Sequence, residues 1–265
     1  MGGYLIAVLI GISLGLIGGG GSILTVPALV YMFHVDPLAA TTYSLFIVGF
    51  TSLVGGAKAY TKRLIDFSAV ALFGIPSILS IFIARHYILP AIPDHIFNIG
   101  TLEVTKGLML MVVFAALMFV AAFSMIKKDP PHDDTATTHH HEPKLTLIIP
   151  GLLIGLITGL LGAGGGFLII PTLVLIIRLP MKTAVGTSLL IVAINSIFGF
   201  VFSISQHHLD WPLLLIFTAL AIAGIFIGSR LSDRIPAETL KQGFGWFVLV
   251  MGLYIMVKEL WLTPA

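Results

Sequence analysis

The sequence predicts an all-α, polytopic membrane protein, and three observations indicate this class. Of the 265 residues, 57% are apolar and only 10% are charged, whereas a soluble domain has about 25% charged residues. The mean hydropathy of +1.07 leaves too few polar groups to cover a surface in water. Uncharged runs of about 20 residues, long enough to cross a bilayer core of about 30 Å, occur along the whole chain. We therefore expect the protein to lie in a lipid bilayer.

The uncharged runs form two sets of four, separated by a hydrophilic stretch. The runs are Tyr4–Phe33, Pro37–Ala57, Phe67–Ala84, Gly107–Ile126, Leu145–Ile177, Thr183–Ser205, Trp211–Ser229 and Gln242–Val257. This pattern predicts a first membrane repeat at residues 1–128, a hydrophilic cytoplasmic linker at residues 129–144 and a second membrane repeat at residues 145–265.

The two halves resemble each other in sequence. When residues 15–66 are shifted by 144 positions onto residues 159–210, 17 of the 52 pairs are identical without a gap. The identical pairs include glycine, proline, serine and aspartate positions, such as Asp66 with Asp210. An apolar composition alone does not produce matches of this kind, so we interpret the chain as an internal duplication.

The first segment of each half is too long for one ordinary membrane helix. Tyr4–Phe33 has 30 residues; a straight helix of that length is about 45 Å long and would need a tilt of roughly 48°, beyond the usual range of about 0–40°. It also contains the consecutive glycines Gly18–Gly21, and Leu145–Ile177 contains the glycine-rich run Gly162–Gly166. We expect each segment to break there into two half-helices. The alternative is a kinked helix whose glycines allow a neighbour to pack closely.

The placement of positive charges favours segments that enter and leave on one side. With four crossings per half, the Lys and Arg residues divide 7 against 7 between the two sides. If each glycine-broken segment is re-entrant, they divide 11 against 3, as the excess of cytoplasmic Lys and Arg in membrane proteins requires. An odd number of crossings inverts the second half, a plan found in secondary transporters. We therefore predict two inverted four-segment repeats in the cell (inner) membrane, each opening with a re-entrant helix.

The glycine breaks form the candidate binding site. Irregular backbone at membrane depth is buried in protein or lines a wet cavity, and the half-helices beginning near Ser22 and Gly166 point their N-termini at that cavity. Such an N-terminus attracts anions without a lysine or arginine. Small polar residues also recur at helical spacing on the next segment of each half, although helix packing is the alternative explanation for them. The predicted substrate-binding residues are Gly18, Gly19, Gly20, Gly21, Ser22, Ser44, Thr51, Ser52, Gly162, Gly164, Gly165, Gly166, Thr187, Ser188, Asn195 and Ser196.

The remaining polar residues have simpler interpretations. Asp66 and Asp210 precede membrane segments and are expected to cap helix N-termini. Arg85 and Arg230 end segments, where their side chains are expected to reach the interface. Histidines 139–141 are interpreted as part of a solvated linker rather than a metal site. We predict no catalytic residue, metal or cofactor, and the net charge of +2 gives no indication of nucleic-acid binding; the oligomeric state stays open.

Two motifs carry a family resemblance. The run Gly162-Ala163-Gly164-Gly165-Gly166-Phe167 with Pro171, followed by Ala184-Val185-Gly186-Thr187-Ser188-Leu189, resembles the signature of the sulfite exporter TauE/SafE family. The first half repeats the pattern, except that Thr42-Tyr43 stands where the second half has Gly186-Thr187. The resemblance covers both halves. It implies a cell-membrane transporter, usually an exporter, of small sulfur-containing anions such as sulfite or an organosulfonate.

The predicted function is secondary transport of a small oxyanion, with the anionic substrate and the lipid bilayer as partners. The residues themselves favour an anion and carry no information on sulfur. Two alternatives stay open. An intramembrane enzyme needs an acid–base or metal constellation, which the sequence does not offer, and a structural or sensory membrane subunit would use the two halves for assembly alone.

Overall fold

The computed structural model describes residues 2–99, 102–126, 144–204, 209–232 and 237–259. The elements of the first half are α1 (Gly2–Ile17), a 3₁₀ helix (Gly19–Leu24), α2 (Thr25–Phe33), α3 (Pro37–Thr61), α4 (Phe67–Ile83), a π-helix (Ala84–Ile88), α5 (Leu89–Ala91), β1 (His95–Ile99), β2 (Leu102–Thr105) and α6 (Lys106–Ile126). Those of the second half are a 3₁₀ helix (Lys144–Leu147), α7 (Ile148–Leu161), α8 (Gly166–Ile176), α9 (Met181–Ser203), α10 (Trp211–Ser232) and α11 (Ala237–Val257).

The protein is an all-α polytopic membrane protein apart from one short β-hairpin. Among the described residues, five helical stretches are long and apolar enough to cross a membrane: Pro37–Thr61, Phe67–Ala91, Lys106–Phe123, Met181–Ser203 and Trp211–Leu231. Large apolar side chains such as Ile75, Val201 and Leu215 are exposed on these helices, which suits contact with lipid tails rather than with water. The predicted segments agree with these helices to within a few residues, except that the second continues beyond Ala84.

Both glycine-rich runs interrupt a helix, as the sequence predicts. α1 ends at Ile17 and α7 ends at Leu161. Directly after them, Gly18 and Gly162 have φ angles of 74° and 69°, in the left-handed region that glycine reaches without a Cβ clash. Each first segment therefore consists of separate helices and is not one kinked helix.

The chain turns back on itself after each break. A Cβ on Gly21 would lie 2.6 Å from the backbone nitrogen of Leu14, although a straight helix would hold these two positions about 10 Å apart. In the second half, a Cβ on Gly165 would lie 3.2 Å from the side chain of Ile154. The backbone after each break thus returns alongside the helix that precedes it.

The long helices α3 and α9 pack side by side and run antiparallel. A Cβ on Gly49 would lie 3.1 Å from the side chain of Ile197, and one on Gly56 would lie 3.6 Å from the backbone of Leu190. Residue numbers therefore rise along one helix as they fall along the other. Glycines at such contacts allow two membrane helices to approach closely, and the apolar core, including the fully buried Ile47, packs around this pair.

Glycines also bring α1 against α10 and α7 against α4. A Cβ on Gly15 would lie 2.5 Å from the carbonyl oxygen of Ile225, and one on Gly155 would lie 2.5 Å from that of Ser77. Neither contact leaves room for a side chain on the glycine. Because α1 packs on a helix of the second half and α7 on a helix of the first, the two halves interlock.

Two aspartates cap helices, as the sequence predicts. Oδ1 of Asp66 accepts a hydrogen bond from the backbone N–H of Ala69 at 3.0 Å, and Oδ1 of Asp210 accepts one from that of Leu213 at 3.1 Å. Each carboxylate satisfies a donor that the first turn of the helix leaves without an intrahelical acceptor. α4 and α10 therefore begin in the same way.

The β-hairpin departs from the all-α prediction. β1 and β2 pair antiparallel, with Asn98 opposite Glu103 and Ile99 opposite Leu102. The strand Leu102–Thr105 alternates apolar and polar residues as a strand should, whereas His95–Ile99 does not, so the sequence pattern indicates at most one of the two strands. They connect α5 to α6 outside the stretches that are long and apolar enough to cross a membrane.

Candidate functional site

The two glycine breaks contact the central helices across the boundary between the halves. A Cβ on Gly18 would lie 2.9 Å from the Val185 side chain and 3.4 Å from Oγ of Ser188, both on α9. A Cβ on Gly162 would lie 2.6 Å from Cα of Thr41 on α3. Each break therefore lies against the polar helix of the other half.

The second break also lies between α3 and α9. A Cβ on Gly164 would lie 2.8 Å from Cγ1 of Val48, 3.1 Å from Cγ1 of Val192 and 3.2 Å from Oγ of Ser196. Gly164 and Gly165 have left-handed φ angles of 67° and 69°, so any other residue would be strained there. The backbone at this point comes close to a serine hydroxyl because it carries no side chain.

The helix that follows the second break starts where the sequence predicts. α8 begins at Gly166. The N–H groups of Leu168 and Ile169 donate to the carbonyl oxygen of Gly165, so those of Gly166 and Phe167 are the donors that the helix itself leaves without an acceptor, and the positive end of the helix dipole lies at the break. In the first half, the 3₁₀ helix Gly19–Leu24 contains the buried Ser22, and α2 begins only at Thr25. The two breaks therefore differ in how the next helix begins.

Several of the predicted polar side chains lack a partner among the described residues. Hydroxyls of three serines and Oδ1 of one asparagine make no hydrogen bond to any part of the chain that the structure describes: Ser44, Ser52, Ser196 and Asn195. All four residues are fully buried. Leaving a buried polar group unsatisfied costs about 1–3 kcal/mol, and native proteins rarely do so without a reason. These four residues are therefore the strongest candidates for contact with a polar ligand.

Other predicted side chains are engaged within the protein, although they too are fully buried. Oγ1 of Thr51 donates to the carbonyl oxygen of Ile47 at 2.6 Å, and Oγ of Ser188 donates to that of Val185 at 2.8 Å. Oγ1 of Thr187 accepts a hydrogen bond from the backbone N–H of Asp66 at 3.0 Å. Thr187 therefore lies at the beginning of α4 rather than at a glycine break.

The side chain of Asn195 links α9 to α4. Its Nδ2 donates to Oγ of the buried Ser77 at 2.7 Å. If the side-chain amide of Asn195 rotated by about 180°, Oγ of Ser77 could donate to Oδ1 of Asn195. Nδ2 would then become available to an anion. Asn195 can therefore act as a donor to a ligand without losing its contact with Ser77.

Arg85 is a buried cation that the sequence analysis placed at the membrane interface. Its side chain is fully buried, and Nη1 donates to Oγ1 of Thr41 at 3.0 Å and to Oγ1 of Thr42 at 3.3 Å. The prediction was wrong because the helical stretch runs on to Ala91, which leaves Arg85 inside it. The guanidinium occupies the π-helix Ala84–Ile88, a form that is frequent at functional sites.

A sequence signal for this position exists. The apolar character resumes after Arg85 at Tyr87 and continues to Ile92, so a single 25-residue helix can be drawn with one arginine inside it. Thr41, which Arg85 contacts, is also the residue against which Gly162 packs. The expectation that the site contains no arginine is therefore corrected: a fixed cation lies beside the second break. Arg230, by contrast, is exposed, as predicted.

Residues 127–143, including histidines 139–141, lie outside the described residues. Within the ranges that are described, no three His, Asp or Glu side chains converge as metal ligands would.

Helices that break at membrane depth beside buried polar groups are typical of membrane transporters, and comparison with known proteins gives the same class. The family model for the sulfite exporter TauE/SafE matches residues 4–255. The chain belongs to that family, which confirms the resemblance found in its two motifs.

Proteins named as probable membrane transporters are similar to this chain over nearly its whole length. One from Xylella fastidiosa (strain 9a5c) is 28% identical over 264 residues, covering 95% of this chain and 92% of its own. YunE of Bacillus subtilis (strain 168) is 26% identical over 274 residues, covering 96% and 98%. MJ0441 of Methanocaldococcus jannaschii is 24% identical over 271 residues, covering 96% and 94%. These names describe transport rather than catalysis, and they state neither a solute nor a direction.

Proposed function

We propose that this protein is a secondary transporter of the cell (inner) membrane that moves a small oxyanion, with sulfite or an organosulfonate as the solute. The observation that carries the proposal is the meeting of the break at Gly162–Gly166 with buried polar groups of both halves. Oγ of Ser196 on α9 lies beside Gly164. The backbone of Thr41 lies beside Gly162, and the hydroxyl of Thr41 accepts a hydrogen bond from Arg85.

The charge at this place favours an anion over a cation. A charged side chain inside a membrane protein is costly, and it usually marks a ligand or ion path. The planar guanidinium of Arg85 offers donors in a geometry that matches an oxyanion. The N-terminus of α8 and the serine hydroxyls that have no partner in the described part of the chain supply further hydrogen-bond donors to the same ligand.

We further propose that the two halves are inverted repeats. Matched contacts 144 positions apart support this arrangement: the N–H of Asp66 donates to Oγ1 of Thr187 at 3.0 Å, and the N–H of Asp210 donates to the hydroxyl of Tyr43 at 2.7 Å. Asp66 follows the end of α3, whereas Thr187 lies near the start of α9. The counterparts α3 and α9 therefore run in opposite directions, as an inverted repeat requires.

The glycine-broken segments are proposed to be re-entrant. α2 has nine residues and α8 has eleven, and at about 1.5 Å per residue neither reaches across a core of about 30 Å. Each half then crosses the membrane an odd number of times. The 11-to-3 division of Lys and Arg supports a cytoplasmic linker at residues 129–144, with both termini on the opposite side.

The sulfur-containing solute and the outward direction rest on the name of the family. The membrane potential supports export, because each negative charge that leaves a cell with a negative interior gains about 2.3 kcal/mol per 100 mV. A dianion could leave on this driving force without a coupled ion.

A counterflow assay tests the proposal. Purified protein in liposomes that contain unlabelled solute is expected to accelerate the entry of labelled sulfite, sulfate or taurine relative to protein-free liposomes. Labelled cations of similar size serve as the comparison. Exchange of cations without exchange of any oxyanion would show that the proposed function is wrong.

A further inference from the structure

A cleft opens between α1, α3 and α10 on the side of the protein where α3 ends. Its walls include Gly15 of α1, Gly55 and Lys58 of α3 and Ser229 of α10. Lys58 and Ser229 are the polar side chains of the lining, and the remaining side chains are apolar: Val54, Leu189, Ile225 and Phe226. None of the residues Gly18–Gly21 and Gly162–Gly166 lines this cleft, although Gly15 lies about one helical turn before Gly18.

Lys58 brings a positive charge into the cleft. Its Nζ donates to Oγ of Ser229 at 2.6 Å, and that hydroxyl donates to the carbonyl oxygen of Phe226 at 3.2 Å. The lysine is half-buried, and no carboxylate within the described ranges forms an ion pair with it. An ammonium has three donors, so a small anion could accept from those that do not point to Ser229.

Lys58 and Arg85 lie near opposite ends of α3. Arg85 contacts Thr41 and Thr42 near the start of the helix, whereas Lys58 is in its last turn. The stretch from Thr42 to Lys58 is about 24 Å long in an α-helix, which is most of a bilayer core of about 30 Å. An anion that moves along α3 would therefore meet one cation near each end.

Arg85 and the ammonium of Lys58 also lie at equivalent positions of the two repeats. Arg85 and Ser229 are 144 positions apart, as are the other matched pairs. The π-helix after α4 carries the cation Arg85 at this position, whereas α10 carries a serine that the ammonium of Lys58 reaches. A positive charge therefore lies at the equivalent position of each half, supplied by Arg85 in the first half and by Lys58, which reaches Ser229, in the second.

We propose that the cleft at Lys58 and Ser229 is a second anion station, separate from the glycine breaks, where a small oxyanion is held as it enters or leaves the protein. The identity of that oxyanion as the transported solute rests on the proposed function. The competing explanation is that Lys58 stabilises the C-terminal ends of α3 and α10 by its charge alone.

The absence of cysteine from the sequence allows a direct test of the charge. In Lys58→Cys, an aminoethyl methanethiosulfonate reagent restores a terminal ammonium, whereas the methyl reagent adds bulk without charge. Lys58→Cys and its methyl-labelled form are expected to bind methanesulfonate about tenfold more weakly than the unmodified chain, the order expected for loss of one charge-assisted hydrogen bond. The aminoethyl-labelled form is expected to recover most of the affinity.

Ligand protection provides a second readout that requires no transport. Sulfate and methanesulfonate are expected to slow the modification of the thiol introduced by Lys58→Cys. Lys182→Cys is the matched control, because Lys182 is an exposed cation at the start of α9, beside the end of α3. Sulfite is left out because it cleaves the disulfide that the reagents form.

The outcomes separate this proposal from the proposed function. If the methyl-labelled and aminoethyl-labelled forms bind alike and neither anion slows labelling, the station is wrong and Lys58 has a structural role. If the unmodified chain exchanges no oxyanion but protection occurs, the transport proposal fails and the station stands. Should Lys58→Cys not purify as a monodisperse protein, Lys58→Arg is expected to bind like the unmodified chain and Lys58→Met is not; equal binding would overturn the proposal.

Discussion

The backbone N–H of Asp66 donates a hydrogen bond to Oγ1 of Thr187 at 3.0 Å, and this bond ties the turn after α3 to the first turns of α9. The corresponding N–H in the second half, that of Asp210, donates to the hydroxyl of Tyr43 at 2.7 Å. Tyr43 and Thr187 are 144 positions apart and share a hydroxyl group. Both halves therefore make the same hydrogen bond with different side chains. Two such bonds hold both ends of the central helix pair against which the glycine breaks pack.

The first prediction concerns the direction of the two halves in the membrane. In the cysteine-free chain, a cysteine introduced at Thr137 is expected to react with a membrane-impermeant maleimide only from the cytoplasmic side. A cysteine introduced at Gln206 is expected to react only from the opposite side, because it follows α9, whose end lies beside the start of α3. Labelling of both positions from one side would rule out inverted repeats.

The second prediction concerns Arg85. Arg85→Met is expected to weaken oxyanion binding by about 1.5–3 kcal/mol, the range for a hydrogen bond to a charged group. Because a buried charge is costly to desolvate, the same substitution is expected to leave the unfolding temperature unchanged or to raise it. Ligand titration and thermal unfolding without ligand, both in the same detergent, measure the two effects.

The matched control for Arg85 is Arg230→Met. Arg230 also lies near the end of a membrane helix, but its side chain is exposed, so neither anion affinity nor stability should change. If Arg85→Met lowers the unfolding temperature and leaves the affinity intact, Arg85 fastens the π-helix Ala84–Ile88 to α3 and does not act on the ligand.

The third prediction separates two glycines of the same break. A Cβ on Gly162 would meet the backbone of Thr41, with Cα at 2.6 Å, so Gly162→Ala is expected to destabilise the fold and lower the yield of monodisperse protein. A Cβ on Gly164 would meet the side chains of Val48, Val192 and Ser196, which can move, at a backbone cost of about 1–2 kcal/mol for the left-handed conformation.

The Gly164→Ala variant should therefore still fold, but its transport should be slow. Gly164→Leu should abolish transport while the protein still inserts. The same result is expected for Gly20→Leu at the equivalent position of the first half. Size-exclusion chromatography and counterflow, measured on the same preparations, check the two effects. Normal transport by the leucine variants would mean that the breaks serve packing and that the solute binds elsewhere.

Features that depend on local rules could be predicted from the sequence. The caps at Asp66 and Asp210 follow from the preference for a short side-chain acceptor before a helix. The breaks follow from the length of the segments and the accumulation of glycine, as at Gly18 and Gly162. In each case the residues that decide the structure are neighbours in the chain, so the sequence contains the information.

Features that depend on another helix could not be predicted. An arginine at the end of an apolar run can turn outward to the interface or inward, and for Arg85 the hydroxyls of Thr41 and Thr42 on α3 decide between them. The polar residues of α9 also differ in whether a neighbouring helix or turn provides a hydrogen-bond partner. Thr187 has a partner in the turn after α3 and Ser196 has none among the described residues, although both are small, buried hydroxyl residues of α9.

The last prediction uses this difference to test whether the hydroxyls of α9 contact the ligand. Ser196 is buried beside Gly164, and its Oγ has no partner in the part of the chain that the structure describes. An unsatisfied buried hydroxyl costs about 1–3 kcal/mol in the free protein, so Ser196→Ala is expected to keep or raise the unfolding temperature. If an oxyanion accepts a hydrogen bond from this hydroxyl, the same substitution must weaken its binding. Ser203→Ala is the matched control, because Ser203 lies buried on the same helix and its hydroxyl donates to the carbonyl oxygen of Gly199 at 2.9 Å. That variant should bind the anion normally, and equal affinities for the two variants would assign the hydroxyl of Ser196 to helix packing alone.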